Sequence, residues 1–321
     1  MSFTYAYPRE KLLTGATTAL VGCMGYKPRE SVLVLTDDLH RSIGQLFYDA
    51  AQNVVEGSPL RIYEMQNTGG NGREPVDRDV PKLMKEYDIV LIATRYSLTH
   101  TKARRDATKK GVRIASMPGI TELSLAEGGM TADYKEVARL TQEMHEAVRN
   151  GGLMHVYTEL GTDVQIRLGK YPWHLDMGIY HNRGEFGNLP AGEIYTAPFE
   201  RGVNGVIVFD YMGSVINSPA TVEIKNGRIA GGDKRILNLA NSVGYRGRQI
   251  AELGIGTNPR AIDTTSVLEA EKMLHTVHIA CGNNVFAGGR NDVPLHQDGI
   301  IARPTVRLNE KWRMEKGEWR I

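Results

Sequence analysis

Near the end of the chain, a single residue separates two metal-competent side chains in the sequence His296-Gln297-Asp298. In a β-strand, side chains with this spacing point to the same face of the sheet. Three more candidate ligands, Glu193, Glu252 and His278, lie upstream beside turn-rich segments. Imidazole and carboxylate groups suit divalent metals. Together the five side chains could bind a pair of metal ions and leave one carboxylate to bridge them, which predicts a hydrolase.

The residues that surround these side chains support their selection as candidate ligands. Glu193, Glu252 and Asp298 each stand close to glycine or proline and are followed by apolar residues. We therefore expect each carboxylate to emerge from a strand end or tight turn into a partly enclosed space, where a charge is unfavourable without a cation. His275 and His278 are three residues apart and would lie on opposite faces of a strand. His278 is the preferred ligand because it lies inside an apolar, strand-like run.

Size and charge limit the class of protein. At 321 residues the chain exceeds what one hydrophobic core usually fills, so we expect two domains. The formal net charge is +2 and basic residues are interspersed with acidic ones, which predicts no nucleic-acid partner. The N-terminus has no secretory pattern and no apolar run approaches the roughly 18 residues of a membrane span, so we expect a cytoplasmic protein with no membrane partner. Cys23 and Cys281 have no CxxC spacing, which argues against a disulfide framework or a thiolate zinc site.

Residues 1–150 alternate short apolar β-type runs with longer helical ones, which is typical of an α/β domain with a mainly parallel sheet and helices on both faces. Strands are predicted at Ser31–Leu35, Leu60–Tyr63, Asp88–Ala93 and Val112–Ser116, and helices at Leu12–Met24, Leu39–Val55, Pro81–Tyr87, Thr101–Lys110 and Thr131–Arg149. The glycines at 151 and 152 end the last helix and mark the predicted domain boundary.

Residues 151–321 are predicted to form a β-rich α+β domain that carries the metals. Short β segments alternate with Gly, Pro and Asn turns, and helical patterns are confined to Arg235–Leu253 and Ser266–Leu274. Asn226-Gly227 lies between two β-type runs and predicts a tight hairpin.

At the candidate ligands the chain resembles the M29 metallopeptidases, the family of aminopeptidase T and aminopeptidase S. The resemblance is strongest over about residues 151–300 and thin before about residue 120. It depends on six motifs in the order of that family: Gly161-Thr-Asp163, Asn188-Leu-Pro-Ala-Gly-Glu193 with Tyr195-Thr-Ala-Pro198, Glu252-Leu-Gly-Ile-Gly-Thr-Asn-Pro259, Glu271-Lys272, His278-Ile-Ala280 with Gly282, and His296-x-Asp298.

The resemblance implies a specific activity. It makes Glu193, Glu252, His278, His296 and Asp298 ligands of two divalent metal ions, which Zn, Co or Mn would all suit, and Glu252 the bridging and catalytic carboxylate. It implies an aminopeptidase that releases N-terminal residues, with a peptide or small amide as substrate. It also implies a homodimer.

Two alternatives remain open. Dihydroxypyridine ring-cleaving dioxygenases resemble the same family but hold a single iron with two histidines and one aspartate, and are expected to have histidine where this chain has Glu252. The five retained ligands favour hydrolysis over that alternative. The second alternative is a non-catalytic metal-binding relative of the family. It remains open because a tyrosine expected a few residues after His278 is absent from Asn283-Asn-Val-Phe286. Tyr195 or Asn284 could replace it.

Overall fold

A computed structural model describes residues 3–262 and 266–320. They form two compact units. One comprises Met1–Ala138, Asp176–Ala191 and Pro259–Ile262; the other comprises Arg139–Leu175, Gly192–Asn258 and Asp263–Ile321. The chain therefore passes between the units more than once, and the domain division after residue 150 stays a prediction. Within the described ranges, no helix is long and apolar enough to cross a lipid bilayer.

The α-helices are α1 (Arg9–Thr17), α2 (Arg41–Gln52), α3 (Val80–Leu83), α4 (Lys102–Lys109), α5 (Glu122–Ala126), α6 (Tyr134–Val148), α7 (Lys234–Asn241) and α8 (Val267–Ala270). A π-helical turn at Thr18–Cys23 continues α1, and 3-10 turns lie at Gly129–Thr131, Tyr245–Arg248 and Val285–Ala287. The strands are β1 (Val32–Asp37), β2 (Leu60–Met65), β3 (Ile89–Ala93), β4 (Arg113–Ser116), β5 (Gly152–Tyr157), β6 (Asp163–Leu168), β7 (His174–Asp176), β8 (Phe186–Asn188), β9 (Glu193–Thr196), β10 (Val203–Phe209), β11 (Ala220–Lys225), β12 (Arg228–Gly232), β13 (Ile250–Gly256), β14 (Thr276–Gly282), β15 (His296–Ala302), β16 (Thr305–Leu308), β17 (Lys311–Glu315) and β18 (Glu318–Trp319).

The first unit is built on a five-stranded parallel sheet in the order β2-β1-β3-β4-β8. Alternate residues of β1 pack on opposite sides. Val32 and Val34 join a core with α1 and α2, whereas Leu33 and Leu35 join a core with α3 and α4. Burial on both faces explains why the central strands β1 and β3 consist mainly of apolar residues. The predicted α/β class, with helices on both faces of a parallel sheet, is confirmed.

The second unit contains two antiparallel sheets, which agrees with the predicted β-rich α+β character. One has eight strands in the order β12-β11-β10-β6-β5-β16-β17-β18, and the other has five in the order β15-β14-β13-β9-β7. Their apolar faces contribute to a common core that includes Val164, Ile207, Leu253 and Ile279. The five-stranded sheet carries the candidate ligands.

Local predictions for this unit had mixed outcomes. The hairpin at Asn226-Gly227 is confirmed, because β11 pairs with β12 and both turn residues have positive φ angles. The helix predicted over Arg235–Leu253 is wrong beyond Asn241, since Ile250–Gly256 forms β13. Pairing with β9 on one side and β14 on the other overrides the helical spacing of its apolar residues. The helix predicted over Ser266–Leu274 is shortened to Val267–Ala270.

Candidate metal centre

The candidate ligands lie on one face of the five-stranded sheet. Glu252 of β13 stands opposite Ala280 of β14, which stands opposite Asp298 of β15. His278 is two residues before Ala280, so its side chain leaves the same face. The intervening residues, among them Leu253, Ile255, Val277, Ile279 and Cys281, point into the apolar core on the other face. The period-two alternation of the strands therefore separates the polar centre from the core.

Gly254 creates the space for one of the imidazoles. It pairs directly with His278 on the neighbouring strand. A Cβ atom at this position would lie 1.9 Å from His278 Nε2 and 2.1 Å from Cε1. The imidazole of His278 thus lies against the bare backbone of β13, and any side chain at residue 254 would displace it.

The inner part of the centre is almost fully buried. The side chain of His278 is 1% exposed, and its Nε2 lies 3.2 Å from Glu193 Oε2 and 3.3 Å from Glu252 Oε1. Glu193 Oε2 is buried and has no hydrogen-bond partner in the described residues. Glu252, predicted at a strand end or tight turn, instead lies within β13, beside an irregularity in its pairing with β14.

The outer part of the centre is open to solvent at His296, whose side chain is 28% exposed. Its Nε2 lies 3.3 Å from Asp298 Oδ1 and 3.5 Å from Glu252 Oε2. Its Nδ1 lies 2.9 Å from the carbonyl oxygen of Asn283, to which it can donate a hydrogen bond. A backbone acceptor at one ring nitrogen directs the other toward a metal, as is usual for metal-binding histidines.

All five predicted residues therefore meet in one cluster. Three overlapping groups have donor atoms within 4.8 Å of one another: Glu193, Glu252 and His278; Glu252, His296 and Asp298; and Glu271, His278 and Asp298. Each group combines one imidazole with two carboxylates and could hold a metal ion. Such nitrogen and oxygen donors suit divalent first-row metals.

The ionisable side chains of the centre shift one another's pKa values. Burial would lower the pKa of His278, but Glu252 and Glu193 raise it to about 9. Partial burial of the imidazole would likewise lower the pKa of His296, which the Asp298 and Glu252 carboxylates raise to about 10. For Asp298, burial raises the pKa, whereas the nearby His296 lowers it to about 2. Without a metal, the carboxylates thus keep protons on the imidazoles, and a bound cation would replace those protons.

Two residues of the centre were missed as sequence candidates. Glu271 belongs to one donor group, and burial raises its pKa to about 8. Lys272 is 1% exposed, and its Nζ lies 2.5 Å from Glu193 Oε1 and 2.7 Å from Glu271 Oε1. The Glu271-Lys272 motif was visible in the sequence, but nothing in the sequence indicated that this lysine would be buried among carboxylates.

Aromatic rings border the open side. The ring of Phe286 meets His296 edge-on at a centroid distance of 4.8 Å, and lies 5.8 Å from the ring of Tyr195. Tyr195 in turn stacks on His174 at 5.0 Å. Of the two residues proposed to replace the missing tyrosine, Tyr195 shares the sheet face of Glu193. Asn284 is buried in a loop, where its Oδ1 accepts a hydrogen bond from the backbone nitrogen of Asn291.

Comparisons with known proteins give a family and a fold. The family model described as NicX, 2,5-dihydroxypyridine 5,6-dioxygenase, matches residues 14–320. The structure of 2,5-dihydroxypyridine dioxygenase from Pseudomonas putida KT2440 is similar with a TM-score of 0.79 and 18% identity, over 98% of each chain. Wild-type AmpT from Thermus thermophilus is similar with a TM-score of 0.69 and 16% identity, over 98% of this chain and 100% of that chain. No curated protein sequence matches the chain.

The predicted hydrolase and aminopeptidase activity is wrong. The resemblance to the M29 family holds for the fold, but the family model over nearly the whole chain is that of a dioxygenase, and the dioxygenase structure has the higher TM-score of the two. The physical reason is that imidazole and carboxylate ligands serve both hydrolytic and oxygen-activating metals. Retention of five ligands therefore could not decide the reaction. The structure contains groups of side chains that could hold a metal ion, whereas the specific pair of Zn, Co or Mn ions is not supported.

Proposed function

The chain belongs to the NicX family, 2,5-dihydroxypyridine 5,6-dioxygenases, and we propose that it is an iron-dependent dioxygenase that opens a hydroxylated nitrogen-containing aromatic ring. The iron would be held by Glu252, His296 and Asp298. The observation that carries the proposal is that this group meets at the solvent-accessible side of the cluster, where a substrate and oxygen can reach it.

The donor atoms fit ferrous iron. Non-haem Fe(II) oxygenases use imidazole and carboxylate ligands and leave coordination positions open. Here the outer group offers one imidazole and two carboxylates, whereas the usual triad has two imidazoles and one carboxylate. The second imidazole of the cluster, His278, contacts Glu252 from the buried side. This chain therefore departs from the expected ligand pattern at Glu252 while keeping the same donor elements.

Ring opening by a dioxygenase breaks one ring bond and places both atoms of O₂ in the product. Bound ferrous iron would supply the oxygen activation that amino-acid side chains lack. The side chains of the protein would bind and orient the ring. Phe286 and Tyr195 present aromatic surface next to His296, and a planar ring can stack on or pack edge-on against such surface.

Oxygen consumption tests the proposal directly. Metal-free protein is loaded anaerobically with Fe²⁺, mixed with 2,5-dihydroxypyridine and exposed to O₂, while an oxygen electrode and the ultraviolet absorbance of the ring are followed. We expect equimolar loss of O₂ and ring, and incorporation of both atoms of ¹⁸O₂ by mass spectrometry. His296→Gln should reduce the rate by more than about 100-fold, because removing a ligand exceeds the effect of removing its supporting groups.

His275→Gln is the matched control. His275 is close in sequence to His278, but its Nδ1 lies 2.8 Å from the carbonyl oxygen of Gly317 and the residue belongs to none of the donor groups. We expect wild-type activity from this variant. Stoichiometric iron binding without oxygen uptake, across a panel of hydroxypyridines, would show that the proposed reaction is wrong.

A further inference from the structure

Lys272 is a buried cation that contacts two carboxylates of the metal centre. Its side chain is 1% exposed, and its ammonium group lies between Glu193 and Glu271. Removing an ammonium group from water is costly, and removing one member of a buried ion pair leaves the other uncompensated. Two short contacts to two carboxylates offset this desolvation penalty, and they also restrict the directions in which both carboxylates can point.

The backbone of Lys272 is fixed on both sides. Its N–H donates to the carbonyl oxygen of Glu269 at 3.1 Å, and its carbonyl oxygen accepts from the N–H of Asn258 at 2.8 Å. The origin of the side chain is thereby set by the turn after α8. The ammonium group then reaches Glu193, which opens β9.

The two oxygens of Glu193 have different roles. Oε1 contacts Lys272 Nζ at 2.5 Å, whereas Oε2 is buried, has no hydrogen-bond partner in the described residues and lies 3.2 Å from His278 Nε2. A carboxylate held at one oxygen presents the other in a defined direction. Here that direction is toward the donor group of Glu193, Glu252 and His278.

The second contact of the ammonium group has a parallel effect. Glu271 Oε1 lies 2.7 Å from Lys272 Nζ, and Glu271 belongs to the donor group that contains His278 and Asp298. Lys272 therefore contacts one member of each of the two donor groups that share His278. Its charge also offsets part of the negative charge of the carboxylates around that imidazole.

We propose that Lys272 is a positioning residue of the metal centre. Its ammonium group orients the Glu193 and Glu271 carboxylates, whose donor groups share Glu252 and Asp298 with the proposed iron ligands, and it thereby affects the coordination geometry and affinity of the ion held by Glu252, His296 and Asp298. The inference rests on the proposed function only in assuming a metal at this cluster. Groups that orient ligands from outside typically change metal affinity by about 10- to 100-fold.

Cobalt provides a probe that is independent of ring opening. Co²⁺ is titrated into metal-free wild type and Lys272→Met, and its visible d–d absorption and dissociation constant are measured. The methionine chain has a similar length but no charge. We expect an altered d–d spectrum and about 10- to 100-fold weaker binding in Lys272→Met. Lys272→Arg keeps the charge in a larger, planar group, so we expect an altered spectrum with intermediate affinity.

Lys170→Met is the matched control, because Lys170 forms an ion pair of the same length, 2.5 Å, with Glu200, but its side chain is 35% exposed. We expect the wild-type spectrum and affinity from this control. An unchanged spectrum and affinity in Lys272→Met would overturn the positioning role. If that variant does not fold, a wild-type spectrum and affinity in Lys272→Arg would overturn it. Wild-type protein that binds Co²⁺ as described but opens no ring would instead refute only the proposed reaction.

Discussion

Replacing Gly254 by alanine tests whether the metal centre depends on the space beside β13. A Cβ atom there would lie 1.9 Å from His278 Nε2, whereas ordinary contacts begin near 3.4 Å. The imidazole or the strand must therefore move by about 1.5 Å, far more than the roughly 0.2 Å tolerance of metal–ligand distances. The φ angle of Gly254 is not in the left-handed region, so the effect is one of crowding and not of backbone strain.

We expect two consequences of Gly254→Ala. Crowding a packed site should lower the free energy of unfolding of the metal-free protein by about 1–3 kcal/mol, measured by urea denaturation. His278 contacts the proposed ligand Glu252, so displacing it should also change the Co²⁺ absorption spectrum and weaken Co²⁺ binding. Gly231→Ala is the control, since no atom lies within 4 Å of a Cβ built there. The control should retain wild-type stability and metal binding.

A double variant tests whether the effect of Gly254→Ala is steric. In Gly254→Ala combined with His278→Ala, the new methyl group would occupy space that the imidazole has left. The stability losses of the two single variants should therefore not add, because the residues are in direct contact. Additive losses, or wild-type stability and Co²⁺ binding in Gly254→Ala, would refute the account of the site.

Three further outcomes follow from the same geometry. The pKa values of His278 and His296 are raised to about 9 and 10, so a metal ion must displace protons when it binds. Co²⁺ affinity should therefore rise between pH 7 and 9 by about tenfold per pH unit for each proton displaced. A Co²⁺ affinity that does not change with pH would contradict this. The protonated imidazoles of His278 and His296 also stabilise the folded metal-free protein. This stabilisation is complete below the unfolded pKa of about 6.5 and is lost as the pH rises through 9 to 10. The free energy of unfolding, measured by urea denaturation, should therefore decrease from about pH 6.5 to 9.5, and the decrease should be smaller in His296→Gln. Phe286→Leu removes the ring beside His296, so it should weaken equilibrium binding of a hydroxypyridine without changing Co²⁺ affinity, whereas equal hydroxypyridine binding would exclude stacking as a source of affinity.

The predicted homodimer, which came from the family resemblance, stays a prediction that light scattering can test.

Much of the fold follows from patterns that are local in sequence. The apolar run Ser31–Leu35 predicted a strand of a parallel sheet covered by helices, and β1 packs against cores on both sides. The spacing of His296 and Asp298 placed both side chains on one face, since that relation depends only on the period of a strand. The five candidate ligands were likewise chosen by residue type and surroundings, and the structure brings them into one cluster.

Other features depend on residues that are distant in sequence. Glu252 lies in a strand and not a helix because β9 and β14 provide pairing partners on both sides of it. Gly254 matters only because His278 of another strand lies against it, and Lys272 joins the centre only because its turn brings it to Glu193. The class of reaction could not be read from the ligands either, because carboxylate and imidazole donors are common to hydrolytic and oxygen-activating metals. Residue type and strand period determined which side chains could bind a metal, whereas strand pairing and the close approach of distant backbone decided how they are arranged, since distances between such residues exist only in the folded chain.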